Sequence, residues 1–196
     1  MELRPYQKEA EAAILEQWAS GVRRTLLVLP TGCGKTIVFA DVAKKRTVKG
    51  HVLILAHREE LLEQARDKIM MSCGMECSIE KAEKSCIDSS ELITVGSVQT
   101  LMSEKRLSRF APDYFKTVII DEAHHALAKS YQNVLQYFSG AKVLGVTATP
   151  DRGDMKDLGA VFESLAYEYK LSTAIHEGYL CKIRALTIPL KLDISG

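Results

Sequence analysis

Two short stretches of this chain carry residues that could do chemistry together. The first runs Leu29-Pro30-Thr31-Gly32-Cys33-Gly34-Lys35-Thr36, where an apolar run breaks into a glycine-rich turn and then resumes. Glycines in such a turn let backbone amides converge on phosphate oxygens, and the positive end of the following helix adds to the attraction. Thr31, Gly32, Cys33 and Gly34 would cradle the phosphates of a nucleotide. Lys35 would reach the β- and γ-phosphates, and the Thr36 hydroxyl would ligate Mg²⁺. The second stretch is TVIIDEAHH, an apolar run ending in Asp121 and Glu122. Asp121 would hold the same Mg²⁺ through water, and Glu122 would orient and polarise an attacking water. Each has a plainer reading. The loop is also a glycine-rich strand-to-helix turn, since Leu29 stands where the strict G-x-x-x-x-G-K-[ST] pattern has its first glycine. The acidic pair also suits a helix start, where it complements the dipole. Taken together, the two stretches predict nucleotide hydrolysis.

Positioning these residues is a matter of strands and helices. Five apolar runs, at 25–29, 51–56, 92–95, 117–120 and 142–146, are continuous rather than alternating. Strands of a parallel sheet covered on both faces read that way. Between them lie helical stripes, Ala10-Ile14-Trp18 and Leu61-Leu62-Ala65-Ile69. The alternation predicts an α/β domain with a doubly wound, mostly parallel sheet and helices on both faces. A carboxylate at the carboxyl end of such a strand falls beside the phosphate loop. Segment 72–91 reads as a loop or a short strand between loops. After 164 the pattern weakens, with a helix ending near Gly178.

The bulk properties narrow the class. A chain of 196 residues suits one large α/β domain. The net charge of +1 neither favours nor excludes nucleic acid, so any basic patch must be local. No run of 18 apolar residues predicts a transmembrane helix, and the charged N-terminus lacks the apolar core of a secretory signal. Five cysteines in no disulfide-like spacing predict reduced thiols and a cytoplasmic location. Cys73, Cys77 and Cys86 raise a metal site, but plain thiols fit better without a fourth ligand.

Six motifs stand in order: LRPYQKEA, PTGCGKT, AHREELLEQA, VGSVQTL, DEAHH and TATPDR. The set resembles the first RecA-like motor domain of superfamily 2 helicases and translocases. The DEAHH form resembles the branch of restriction-enzyme motor subunits, phage helicases and excision-repair helicases. The resemblance implies that Gln7 reads adenine with Arg4 nearby. It implies that Arg58, Gly96, Ser97, Gln99 and Thr100 touch a nucleic-acid strand, DNA rather than RNA. It implies that His124, Thr147 and Thr149 couple the γ-phosphate to domain motion. On the residues alone, Gln7 is an exposed helix-start residue, Arg58 belongs to a solvated helix, and 96–100 is a turn. The threonines cap a strand end, and His125 faces either the coupling path or solvent.

The resemblance also implies partners. Such motors close ATP between two RecA-like domains, and the second supplies arginine fingers worth roughly 10³ to 10⁵ in rate. No Gly-Arg dipeptide occurs here, so that second-domain motif is absent. The expectation is a motor domain over 1–182 and a last strand or connector over 183–196, leading toward a second domain. Alone, the chain would hydrolyse ATP weakly. Two rivals remain: a motor piece of a restriction complex, and a nucleotide-dependent binding module with little activity. A GTPase is disfavoured, because the only asparagine, Asn133, precedes valine rather than the lysine of a guanine motif.

Overall fold

The computed structural model describes residues 2–57, 62–82, 84–148 and 152–182. Arg58, Thr149 and the segment 183–196 lie outside them. Seven strands form one sheet: β1 (Arg24–Val28), β2 (His51–Ala56), β3 (Cys77–Glu80), β4 (Ile93–Ser97), β5 (Phe115–Asp121), β6 (Lys142–Thr147) and β7 (Ser164–Glu168). Their order is β3-β4-β2-β5-β6-β1-β7, and every pairing is parallel.

The continuous apolar runs have a direct explanation. Successive side chains on a strand point to opposite faces, and here both faces are covered. Leu27, Val52, Ile54, Ile119, Leu144 and Val146 point into one core, shared with helices α1 (Pro5–Ala19), α2 (Lys35–Arg46) and α3 (Leu62–Cys73). Leu26, Val28, Leu53, Leu55, Val118, Ile120 and Val143 point into the other. That second core holds α4 (Val98–Leu101), α5 (Glu104–Leu107), α6 (Lys129–Tyr137) and α7 (Arg152–Leu158), together with a 3₁₀ turn at Ala123–Leu127. The stripe Ala10-Ile14-Trp18 is buried as expected. A last short helix, α8 (Leu171–His176), ends at Gly178, whose φ is +77°.

Two strands were poorly marked. β3 lies within the polar segment 72–91, and β7 lies where the pattern weakens. Both are edge strands. β7 has no fully buried residue, so the apolar signature of a central strand is missing there. β3 is held less by its own composition than by a buried ion pair. Glu80 is fully buried, meets Arg106 of α5, and accepts the Cys86 amide at 2.7 Å. Arg106 also donates to the carbonyls of Lys81 and Lys84, closing the loop after β3.

Candidate nucleotide site

The site residues gather at the carboxyl edge of the sheet, because neighbouring parallel strands all end there. β1 delivers the phosphate loop, its neighbour β6 delivers Thr147, and β5 delivers Asp121. The loop is tied to β6 directly, since the Leu29 amide donates to the Thr147 carbonyl at 3.1 Å.

The loop's shape depends on its glycines. Gly32 and Gly34 have φ of +89° and +75°, in the left-handed region where a side chain costs energy. Gly34 also leaves no room, because an added Cβ would stand 2.6 Å from Gln7 Nε2. Gly34 caps α2, and the first intrahelical donors are Ile37 and Val38, both to its carbonyl. The amides of Lys35 and Thr36 precede them and have no acceptor inside the helix. Oriented amides, a lysine and a hydroxyl at the start of a 12-residue helix suit a polyphosphate with a magnesium ion. Cys33 is buried at 1% exposure, and burial raises its thiol, so it lacks the thiolate character of a reactive cysteine.

Asp121 and Glu122 stand close to this loop. Burial, followed by the charge of Glu122, holds the Asp121 carboxyl above the usual carboxylate range, while Lys35 and Lys68 pull the other way. Its Oδ1 accepts the Glu122 amide at 3.1 Å. Among the described residues, Glu122 alone has a positive φ without being glycine, at φ 56° and ψ 67°. Such a conformation costs of order 1–3 kcal/mol and marks functional positions. The residues that follow form a 3₁₀ turn rather than an α-helix, and this lifts Glu122 out of regular structure. A cavity of about 250 Å³ opens here, bounded by Thr36, Phe39, His57, Lys68, Asp121 and His125.

The other expected residues divide. His124 Nδ1 lies 3.7 Å from Glu122 Oε2. His125 is packed rather than solvent-facing. Its ring stacks on His57 at 3.9 Å and 9°, with His124 tilted against it at 4.1 Å. His57 escaped notice in the sequence, although it follows the carboxyl end of β2, where site residues are to be expected. Gln7 is buried rather than exposed at the helix start. It is 2% exposed, its Oε1 accepts the Arg4 amide at 2.9 Å, and its Nε2 donates to the Cys33 carbonyl at 3.1 Å. It braces the phosphate loop in this structure. Tyr6, also missed, does the same through its hydroxyl, at 3.0 Å from that carbonyl.

Gly96 and Ser97 need correction as surface contacts. Both lie in β4 and are buried, and a Cβ on Gly96 would come 3.0 Å from Leu53 and Leu101. The sheet needs a small residue at Gly96, while the Ser97 hydroxyl is buried without a hydrogen-bond partner among the described residues. Gln99 is exposed and Thr100 half-buried, beside Ser103, Lys105 and Arg109 around a shallow hollow.

With this geometry in view, residues 1–152 match the family described as "Type III restriction enzyme, res subunit" (ResIII). The chain belongs to this family. The ResIII match takes in the phosphate loop, Asp121, Glu122 and Thr147. Among relatives, the "Putative ATP-dependent helicase IRC3" of Saccharomyces cerevisiae is 32% identical over 98% of this chain and 30% of its own length. The "Type I restriction enzyme EcoAI endonuclease subunit" of Escherichia coli is 29% identical over 98% of this chain and 25% of its own length. The chain thus spans under a third of either relative. The crystal structure of the UvsW helicase from Bacteriophage T4 shares the fold, with a TM-score of 0.67 and 22% identity over 84% of this chain and 60% of that one. Among the described residues no helix is long and apolar enough to cross a membrane.

Proposed function

We propose that this chain is the ATP-binding motor domain of an ATP-dependent helicase or translocase that acts on nucleic acid, DNA rather than RNA. The observation that carries the reading is the convergence of two things: a glycine-shaped loop ending in Lys35 and Thr36, and Asp121 at the end of a nearby strand followed by Glu122 at positive φ. Lys35 and the loop amides would hold the β- and γ-phosphates. Thr36 and Asp121 would hold magnesium, which supplies charge neutralisation on those phosphates when bound. Glu122 would orient the attacking water, and His124, beside it, would relay the state of the site outward. Gln99 and Thr100 would contact the strand.

The domain would span 1–182, with 183–196 leading to a second RecA-like domain that supplies arginines. Isolated, the chain would bind nucleotide and turn it over weakly. The similarity to a type I restriction subunit supports a second reading, in which the same motor drives DNA movement within a restriction complex.

The test is calorimetric titration with ATP and Mg²⁺, with Lys35→Ala as control, followed by turnover with and without single-stranded DNA. Binding that Lys35→Ala abolishes, with slow turnover, is the expected result. Binding indifferent to Lys35→Ala would refute the site. Robust DNA-stimulated turnover would refute dependence on a second domain.

A further inference from the structure

Arg4 stands exposed beside the phosphate loop, and its guanidinium carbon lies 5.0 Å from the ring centroid of Tyr179. Arg4 Nη1 donates to the Tyr6 hydroxyl at 3.5 Å, and that hydroxyl donates to the Cys33 carbonyl. Tyr179 meets Tyr6 edge-on at 4.9 Å and 65°, and Tyr6 lies flat on Tyr169 at 4.3 Å. The end of α8 fixes Tyr179 in this place. Gly178 turns the chain, and the amides of Tyr179 and Leu180 both donate to the Ala174 carbonyl, at 2.9 and 3.0 Å. Leu180 then packs on the loop itself, 3.0 Å from where a Cβ on Gly32 would stand. The segment after α8 therefore touches the loop and carries the arginine at once.

A guanidinium held over a ring leaves its other side open as a platform, and a planar cation stacks well on an aromatic base. Gln7 is buried with both ends of its amide engaged, whereas Arg4 is an exposed cation beside the loop. We propose that Tyr179 is a positioning residue for base recognition: its ring holds the Arg4 guanidinium as the platform on which the purine of the bound nucleotide stacks. This rests on the nucleotide reading above and adds to it a residue from the far end of the described chain.

The probes are ATP and inorganic tripolyphosphate, each titrated with Mg²⁺. Tripolyphosphate reports the phosphate loop without a base. Tyr179→Leu is expected to weaken ATP binding about three- to five-fold, the range of an exposed cation–π contact, and to leave tripolyphosphate unchanged. Tyr179→Phe is expected to bind ATP as the unaltered chain does, because the ring remains. Arg4→Lys keeps the charge but loses the plane, and at an exposed position it should fold. It is expected to reproduce the ATP-only loss, which keeps the test decisive if Tyr179→Leu does not fold. Equal losses for both ligands, no loss for ATP, or failure of Tyr179→Phe to restore binding would each overturn the proposal. Lys35→Ala should weaken both ligands. If it weakens neither, or if the unaltered chain binds neither, the nucleotide reading itself falls.

Discussion

At the scale of single residues, the site holds groups in states that a free chain would avoid. Gly34 is left-handed and pressed against Gln7. Gly34→Ala should therefore weaken ATP binding at least ten-fold and cost about 1–2 kcal/mol of stability. Nucleotide titration and thermal unfolding would check both. Asp121 is a second case. Its carboxyl sits above its ordinary value of 3.8, with burial the leading cause. The folded chain then holds a proton that the unfolded chain releases. Without magnesium, stability should fall as pH rises from the ordinary value through the raised one. Asp121→Asn should flatten that fall and stabilise the metal-free chain at neutral pH. It should also abolish the magnesium dependence of ATP binding. Unfolding curves from about pH 4 to pH 8, with chelator present, would decide. A variant less stable than the parent at neutral pH would show that ionised Asp121 is stabilising.

At the scale of elements, two contacts hold the site's supports in place. Gly145 of β6 faces Phe162 and Ala123, and a Cβ there would press on the Phe162 ring and stand 3.0 Å from Ala123 Cβ. Gly145→Ala should cost about 1–3 kcal/mol by overpacking. It should also displace the 3₁₀ turn behind Glu122, so turnover should fall more than nucleotide affinity does. The second contact is Glu80 with Arg106. Arg106→Met leaves a fully buried carboxylate without its cation, a loss of about 3–5 kcal/mol. Replacing both partners with apolar residues should recover most of that loss, since an unpaired buried charge costs more than a missing pair. Chemical denaturation of the single and double variants tests this. The elements themselves were legible to different degrees. Central strands buried on both faces announce themselves as unbroken Val, Ile and Leu. Edge strands β3 and β7 do not, because their order comes from a partner strand and, for β3, from an ion pair whose halves lie 26 positions apart.

At the scale of the whole molecule, a net charge of +1 offers little long-range attraction to a polyanion. Under the proposed function nucleic-acid binding must be local, and the candidates include the exposed Gln99, Lys105 and Arg109 and the half-buried Thr100. The plot of log affinity for single-stranded DNA against log salt should then have a shallow slope, about −1 to −2. A slope several-fold steeper would point to a broad basic track elsewhere. The phosphate loop, Asp121, Glu122 and the parallel α/β class were all readable in the linear chain. Their chemistry needs particular residue types at a strand end, and such signals are local. Four features were not local. Burial of Gly96 and Ser97, engagement of Gln7 by the Cys33 carbonyl, stacking of His57 on His125, and the meeting of Arg4 with Tyr179 each join positions that only the folded sheet brings together. Periodicity and propensity describe one element at a time. Which face a side chain turns to, and which distant partner satisfies it, is decided when the elements pack.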